Sequence, residues 1–511
     1  MPPQAQTIGA PAESSQAELV QGLGLFDSTM LVVGSMIGSG IFIVSQDIAH
    51  QVQSPGLLLI VWLAAGAMTL IGALSYGELA AAMPHAGGQY VYLRESLGPI
   101  WGFLYGWTML LVIQTATIAA VAIAFAKFTA VIVPWFSPAA WIWKMGTFGP
   151  WQLWFGALGP YNVGLNRQNL LAILSICFLT WVNTRGLAFG KMVQNVFTVT
   201  KAFSLAALVV LGFWFSTAAA RAVNFSNFWR NASLVLKHRY PPDNPAWMVG
   251  TLTLIGVAMV GSLFSMDAWN NITFTAAEVK KPWRDLPLSL VLGTGIVISL
   301  YTLANLAYLR VLPVSGQPHG ATALARGIEY AADGRVATAV LEVSFGPAGA
   351  IVMAAAILVS TFGCNNGLIL SGARIYYAMA KDRLFFRSAG SVNQHHAPGV
   401  ALIVQAIWAS LLCLSGTYGQ LLDFLIFAVL IFYILTLVGL FVLRWKRPEM
   451  PRPYRAFGYP ILPAVYILMA IFVEVQLLRY KPQYTWPGLI IVLLGVPVYG
   501  LWKWGQSRAK V

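Results

Sequence analysis

Long apolar segments with few charges dominate this chain and limit what it can fold into. Of its 511 residues, 58% are hydrophobic and only 9% are charged, whereas soluble domains carry about 25% charged residues. A helix that crosses a bilayer needs about 20 predominantly apolar residues. We therefore predict an all-α polytopic membrane protein with about 12 transmembrane helices. The predicted spans are 25–49, 57–82, 99–133, 168–184, 192–215, 248–274, 286–310, 346–373, 399–416, 420–443, 460–478 and 485–505.

Short tails are predicted at both ends of one transmembrane domain. Residues 1–24 contain Glu13 and Glu18 but no Lys or Arg and no short apolar core. We therefore predict a polar N-terminal tail without a signal peptide. The transmembrane domain is predicted at 25–505 and a C-terminal tail at 506–511.

The basic residues predict the orientation of the chain, whose net charge is +14. If the N-terminal tail is cytoplasmic, the densest clusters of Lys and Arg, at 280–284, 374–387 and 444–455, also fall on the cytoplasmic side, in agreement with the positive-inside rule. We predict a multi-pass protein of the cell membrane with both termini in the cytoplasm. The positive charge is assigned to topology and lipid contact, because no soluble segment is long enough to carry a nucleic-acid site.

Three glycines and two serines interrupt the first predicted span, in the segment VGSMIGSGIF at 33–42. Glycine costs about 1 kcal/mol relative to alanine inside a helix, and backbone groups without partners in hydrocarbon cost several kcal/mol each. An opened turn is therefore tolerated only where it lines a cavity. Its N–H groups, at the start of the second half-helix, suit a carboxylate, and its carbonyls suit an ammonium group. This pattern favours an amino acid site; the alternative is a small-residue face for helix packing.

The sixth predicted span carries a second interruption, LFSMDAWNN at 263–271. An acid, two amides and a serine near the middle of a membrane segment are costly unless they face a cavity. If the chain consists of two five-helix halves of opposite topology, spans one and six correspond, and paired interruptions of this kind indicate the binding site of a transporter. The alternative is a polar, water-bridged contact between helices.

Lys201 lies about nine residues, or about 14 Å, into the fifth predicted span. This depth is close to the middle of the bilayer, although snorkelling of the ammonium group to the interface is an alternative. A desolvated lysine can lose its proton, which is compatible with a proton-coupled cycle.

Several other classes of protein are disfavoured. Cys177, Cys364 and Cys413 fall in predicted spans, so no extracellular disulfide is expected. No single helix carries His, Cys and carboxylate side chains at metal-ligand spacing. No Gly-rich loop ends in Lys-Ser or Lys-Thr, the signature of ATP binding. We therefore predict no metal, no cofactor and no enzymatic activity.

Several motifs, in order along the chain, resemble one family. They are the segment from Gly34 to Phe42, the segment from Phe264 to Asn271, EVKKPWRDLP at 278–287, and the pair NNG at 365–367 and SGAR at 371–374. Together they resemble the amino acid–polyamine–organocation transporter family, and within it the L-type amino acid transporter branch.

The resemblance covers about 22–505 and implies a LeuT-like fold. In that fold, two inverted five-helix repeats, at about 25–215 and 248–443, form the core, with discontinuous helices one and six. Two peripheral helices follow at about 460–505. Transport in the family proceeds by alternating access, as a helix bundle rocks against a scaffold.

The resemblance also implies roles for individual residues. Gly38, Ser39 and Gly40 would offer N–H groups to the substrate carboxylate, and Met36 and Ile37 would offer carbonyls to its amine. In the sixth helix, Phe264 matches the family's aromatic lid. The predicted substrate-binding residues are Ser35, Met36, Ile37, Gly38, Ser39, Gly40, Ile113, Gln114, Phe264, Ser265, Asp267 and Asn270.

Lys201 and Asn365 are the predicted coupling residues. By resemblance, the Lys201 ammonium replaces the sodium ion of sodium-coupled relatives, donating to carbonyls near Gly34 and Ser35 and to the eighth helix, near Asn365. We expect Asp267 to cap the second half of helix six rather than to face the substrate. Gln114 either lines the pocket or joins two helices.

The loop at 134–167 holds five tryptophans and is expected at the outer membrane interface. Animal members of the L-type branch bind a glycoprotein heavy subunit through a cysteine in this loop. This loop has no cysteine, so we expect no covalent heavy subunit. The predicted partners are an amino acid substrate and membrane lipids.

We therefore predict a secondary active transporter that moves neutral L-amino acids by alternating access. It is expected to work as an exchanger or a proton-coupled symporter and not to use sodium. The alternatives are a permease for cationic amino acids or polyamines, and a transporter-like amino acid sensor that binds without transport.

Overall fold

The computed structural model describes residues 19–154, 156–158, 160–226, 228–229, 247–415 and 418–508. These residues are mainly helical. The helices are α1 (Leu25–Met36), α2 (Gly40–Val52), α3 (Pro55–Ala82), α4 (Gln89–Leu97), α5 (Pro99–Thr108), α6 (Gln114–Ile132), α7 (Arg167–Thr184), α8 (Leu187–Trp214), α9 (Ala218–Phe225), α10 (Trp247–Ser265), α11 (Asn271–Phe274), α12 (Pro282–Val311), α13 (Ala323–Arg326), α14 (Val336–Lys381), α15 (Gly399–Ser415), α16 (Tyr418–Lys446), α17 (Ile461–Tyr480) and α18 (Pro482–Arg508).

The helices confirm a polytopic membrane protein. Within the described residues, 9 helical segments are long and apolar enough to cross a membrane, and two shorter apolar helices lie at Gly250–Ser265 and Gly399–Leu414. This is fewer than the twelve spans predicted. The predicted span 168–184 does form a helix, α7, but it carries the buried amides Gln168, Asn169 and Asn183 and is not among those nine.

Two spans are interrupted where the sequence predicts. α1 ends at Met36 and α2 begins at Gly40, and α10 ends at Ser265 while α11 begins at Asn271. The two interruptions touch each other, since a Cβ added to Gly40 would lie 2.9 Å from the Cα of Ser265. The first and sixth spans therefore meet at their breaks.

Small residues let the first span sit deep among its neighbours. A Cβ on Gly34 would lie 2.3 Å from the hydroxyl oxygen of Thr198 on α8, and a Cβ on Gly293 of α12 would lie 2.5 Å from Val32. Such close approach of side chains to a glycine backbone lets helices pack tightly in membranes. It places the break of the first span inside the helical assembly.

One turn of the third span is wider than an α-helical turn. Met109–Ile113, between α5 and α6, is a π-helical segment, and the Gln114 N–H donates to Met109 O, five residues back. Single π turns inside α-helices occur frequently at functional sites. Ile113 and Gln114, both predicted to bind substrate, lie at the end of this turn.

The loop between α6 and α7 forms four short strands. β1 (Trp141–Phe148) pairs antiparallel with β4 (Tyr161–Asn166), and β2 (Trp151–Leu153) with β3 (Gly156–Leu158). The spans are helical as predicted, and this loop adds a hairpin that the sequence analysis did not predict, because the aromatic residues around 141–143 favour strands. Trp143 is 52% exposed; the predicted position of this loop at the membrane interface stays a prediction.

Both described ends of the chain lie on one face, which we call the inner face. Leu23 forms an isolated parallel bridge with Val279. The indole of Trp502, near the end of α18, donates to Arg383 O, just beyond α14, at 2.9 Å. The assignment of this face to the cytoplasm stays a prediction.

Candidate functional site

The carbonyls at the break of the first span already have partners. Met36 O accepts from Gly38 N at 2.8 Å and from the Tyr301 hydroxyl at 3.0 Å. Ile37 O accepts from Lys201 Nζ at 2.8 Å and from the Ser360 hydroxyl at 3.2 Å. A substrate amine at Ile37 O would therefore have to share or displace one of these donors, since a carbonyl oxygen has two lone pairs.

The N–H groups at the same break belong to the start of α2. Ser39 is the N-cap of α2, and its side chain makes no capping hydrogen bond. The first N–H groups of a helix have no partners within it, and they lie at the positive end of the helix dipole. Gly40 begins this helix with no room for a side chain, because an added Cβ would lie 2.2 Å from the Ser265 hydroxyl oxygen. This end of α2 suits a small carboxylate.

Lys201 lies near the middle of α8 and is 0% exposed. Its ammonium donates to Gly34 O, to Ile37 O at 2.8 Å and to Ser360 O at 3.4 Å. The predicted contacts with the first and eighth spans are therefore present, and the snorkelling alternative is wrong. Ser35 O, also predicted near this ammonium, instead accepts from the Cys364 thiol at 3.1 Å. Carbonyls of two spans surround the ammonium group in the way that they would surround a cation.

Asn365, which was predicted near the contact between Lys201 and the eighth helix, does not make that contact itself. It is 2% exposed, and among the described residues neither polar atom of its amide has a hydrogen-bond partner. The contact between α14 and Lys201 comes from Ser360 instead. The next residue, Asn366, accepts from Asn183 at 2.9 Å and donates to Gly190 O at 3.1 Å, so it joins α14 to α7 and α8.

A small cavity lies beside the break of the sixth span. Four of the predicted substrate-binding residues line it: Ile113, Gln114, Asp267 and Asn270. The other predicted residues, Ser35, Met36, Ile37, Gly38, Ser39, Gly40, Phe264 and Ser265, are buried but are not part of this lining. The lining residues that the sequence analysis missed are Gln89, Tyr105, Met109, Thr117, Ala268, Asn271, Leu368, Val429 and Tyr433.

Asp267 lines this cavity, contrary to the expected capping role. Its carboxylate accepts a hydrogen bond from the Tyr433 hydroxyl at 2.5 Å, and the N-cap of α11 is Asn270. Ala268 adopts a positive φ of 64°, so the chain turns sharply between Asp267 and the start of α11. The sharp turn separates the carboxylate from the helix end that it was expected to cap.

Amide side chains hold the walls of the cavity in place. Asn270 donates to the Gln89 oxygen at 2.8 Å, and Gln89 donates to Phe432 O at 3.1 Å on α16. Gln114 donates to Leu368 O at 2.8 Å. The sequence left two roles open for Gln114, lining the pocket or joining two helices. In the structure it does both.

Ion pairs close the inner face below the two breaks. Arg374 of α14 donates from two nitrogens to Glu278, each at 2.9 Å, and both side chains are buried. Lys191 of α8 donates to Asp27 of α1 at 3.1 Å. These pairs tie the inner ends of the first and sixth spans to α14 and α8. The described residues thus show a conformation whose inner side is shut.

Residues 23–499 match the family model described as amino acid permease. The chain belongs to this amino acid permease family. The match confirms the resemblance to the amino acid–polyamine–organocation transporters and supports the LeuT-like fold. This permease is therefore an amino acid transporter and not an enzyme.

The permease is similar to two kinds of known transporter. It is 29% identical to the human large neutral amino acids transporter small subunit 2 over 493 residues, which cover 96% of this chain and 82% of that protein. It is 27% identical to the human b(0,+)-type amino acid transporter 1 over 516 residues, which cover 98% of this chain and 92% of that protein. Both similarities extend over nearly the whole permease.

Proposed function

We propose that this permease moves neutral L-amino acids across the cell membrane by alternating access, as an exchanger or a proton-coupled symporter that does not use sodium. The observation that carries the proposal is the contact of the two broken spans, Gly40 against Ser265, beside a small cavity lined by residues of the third and sixth spans. The name of one human relative, a transporter of large neutral amino acids, supports neutral substrates.

The substrate is proposed to bind with its backbone groups at the breaks and its side chain in the cavity. Its carboxylate would meet the N–H groups of Ser39 and Gly40 at the start of α2. Its amine would meet the carbonyls of Met36 and Ile37. The side chains of Met109, Ile113 and Leu368 would supply apolar contacts to the substrate side chain, in a cavity wall that also carries polar groups.

Lys201 supports a cycle without sodium. Its ammonium already occupies the space among Gly34 O, Ile37 O and Ser360 O, where a sodium ion would need the same oxygens. Ile37 O is also the carbonyl proposed for the substrate amine. The substrate amine and the Lys201 ammonium would therefore share Ile37 O. Binding of the substrate would then change the contact that holds the first span against α8.

The orientation and the partners of the permease are part of the same proposal. We place both termini in the cytoplasm, so the inner face with its ion pairs would be the cytoplasmic gate. Of the three free cysteines, only Cys177 is exposed, and it lies on α7 rather than in the loop between α6 and α7. We therefore propose that no heavy subunit is attached through a disulfide in that loop.

Uptake of radiolabelled amino acids into liposomes that contain the purified permease tests the proposal. The panel should be measured with and without unlabelled amino acid inside, at two external pH values, and with sodium replaced by choline. Uptake that needs internal substrate identifies an exchanger, and uptake driven by an inward proton gradient identifies a symporter. Strict sodium dependence, or binding without uptake, would contradict the proposal.

We expect Gly40→Val to abolish substrate binding. A Cβ at this position already meets Ser265 at 2.2 Å from its hydroxyl oxygen and 2.9 Å from its Cα, so the two breaks must separate and the carboxylate site at α2 is lost. The loss should exceed tenfold in binding of a radiolabelled substrate, which corresponds to about 1.4 kcal/mol. Gly295→Val is the matched control, because a Cβ there meets nothing within 4 Å. Wild-type affinity in Gly40→Val would exclude the proposed site.

A permease for cationic amino acids is the second candidate function, because Asp267 lines the cavity. Under the neutral proposal, Tyr433 satisfies this carboxylate at 2.5 Å. We then expect Asp267→Asn to keep leucine uptake within about threefold of wild type, a change of about 0.7 kcal/mol. A selective loss of lysine and arginine uptake in Asp267→Asn, measured beside Tyr433→Phe, would favour the second candidate instead.

A further inference from the structure

An open groove on the inner face carries a concentration of positive charge that the transport site does not use. Its described lining includes the cationic side chains of Arg185, Lys191 and Lys280 and the imidazoles of His395 and His396, and it contains no Asp or Glu. These residues come from the turn between α7 and α8, the first turns of α8, the segment after α11 and the loop between α14 and α15. We call it the basic groove.

Little of this charge is neutralised within the described part of the protein. Lys191 donates to Asp27 and to Gly22 O, but neither Arg185 nor Lys280 takes part in any ion pair among the described residues. The guanidinium of Arg185 instead stacks over the Trp181 ring at 4.7 Å. The groove therefore keeps an excess of positive charge that favours an anion.

The backbone of the groove adds to this preference. The first turn of α8 forms part of the wall of the groove. Its N-cap is Gly186, which has a φ of 105° and no side chain to cap the helix. A Cβ on Gly186 would lie 2.8 Å from His395 O, so the groove is closed there by backbone atoms. Leu187 and Ala188 line the groove, and the N–H groups of a first helical turn lie at the positive end of the helix dipole. A phosphate group combines favourably with such N–H groups and with guanidinium and ammonium groups.

An apolar surface leads from the bilayer to the groove. Leu174, Phe178 and Trp181 are 54%, 52% and 50% exposed on α7, and their spacing puts them on the same helix face as Arg185. Acyl chains can lie along this face while a headgroup reaches Arg185. Tryptophan and basic residues at span ends are typical of the membrane interface. The surface favours a phospholipid over a soluble phosphate compound.

We propose that the basic groove binds the phosphate group of an anionic phospholipid. Gly22 N and Leu23 N donate to Glu278 O, each at 2.9 Å, and Lys280 N donates to Leu23 O. The groove therefore connects the inner ends of the first and sixth spans with the α7–α8 turn and the α14–α15 loop. If the proposed alternating access is correct, a lipid bound here stabilises the conformation whose inner side is shut.

Native mass spectrometry of the full-length permease with phosphatidylglycerol or phosphatidylcholine tests the binding, and it needs no transport. We expect wild type to retain phosphatidylglycerol at least about threefold better than phosphatidylcholine. Arg185→Gln combined with Lys280→Gln should lose this preference. The control is Lys381→Gln combined with Arg387→Gln, which removes the same charge from a neighbouring basic groove on the same face and should keep the preference.

Three outcomes would overturn the proposal. The first is equal retention of the two lipids by wild type. The second is an equal loss of the preference for phosphatidylglycerol in the control variant. The third is displacement of the lipid by glycerol 3-phosphate at equal concentration, which would assign the groove to a soluble phosphate compound. Failure of amino acid uptake in liposomes would contradict the proposed transport function and would leave the lipid result intact.

Discussion

Replacing Lys201 with alanine should slow or uncouple transport while the helices remain folded. The ammonium is the donor shared by Gly34 O, Ile37 O and Ser360 O, and a buried polar group that loses its partner costs about 1–3 kcal/mol. If this cost falls on the barrier to transport, where 1.36 kcal/mol is a tenfold change in rate, we expect uptake to fall by at least about fivefold. Uptake into liposomes measures the rate, and circular dichroism measures the helical content.

Lys144→Ala is the matched control, because this lysine is exposed on β1, far from the broken spans. Its uptake should equal that of wild type. Uptake at the wild-type rate in Lys201→Ala would contradict the coupling role of this lysine. Recovery of uptake in Lys201→Ala by sodium ions would support the view that the ammonium takes the place of a cation.

Breaking the ion pair between Arg374 and Glu278 should open the inner face and lower stability. Both partners are buried and joined by two hydrogen bonds of 2.9 Å, and removing one partner of a buried pair costs about 3–5 kcal/mol because the other charge is left unpaired. We expect Arg374→Leu to lower the thermal unfolding midpoint clearly. The double variant Glu278→Leu with Arg374→Leu should recover most of the midpoint, since no charge is left unpaired.

Cys364 can report the opening of the inner face. Its thiol is buried against Ser35 O at the first break. In a background with Cys177→Ser and Cys413→Ser, a thiol reagent supplied at the inner face should modify Cys364 faster in Arg374→Leu than in the parent. Equal rates in the two proteins would show that this ion pair is not a gate.

The sequence predicted the features that have a local physical cause. Glycines and polar residues inside apolar spans are costly without a cavity, and this cost located both breaks. The depth of Lys201 in its span likewise predicted that its ammonium group is buried. Each of these inferences needed only the composition of one segment.

The sequence could not predict contacts that depend on distant segments. Asp267 meets Tyr433 across 166 positions of the chain, and nothing in the apolar span around Tyr433 distinguishes this tyrosine from a lipid-facing one. Similarly, Glu78 of α3 pairs with Arg444, 366 positions further along the chain, and with Arg452. The partner of a charge is decided by packing between helices, which one sequence alone does not reveal.

The π turn at Met109–Ile113 affects how this span is compared with those of other permeases. An α-helix advances by 100° per residue, so one extra residue in a turn rotates everything after it by about that angle. A single helical wheel drawn through the third span therefore assigns the wrong face to either its first or its second half. Residues before Met109 and after Ile113 must be placed on separate wheels before any substitution in this span is interpreted across the family.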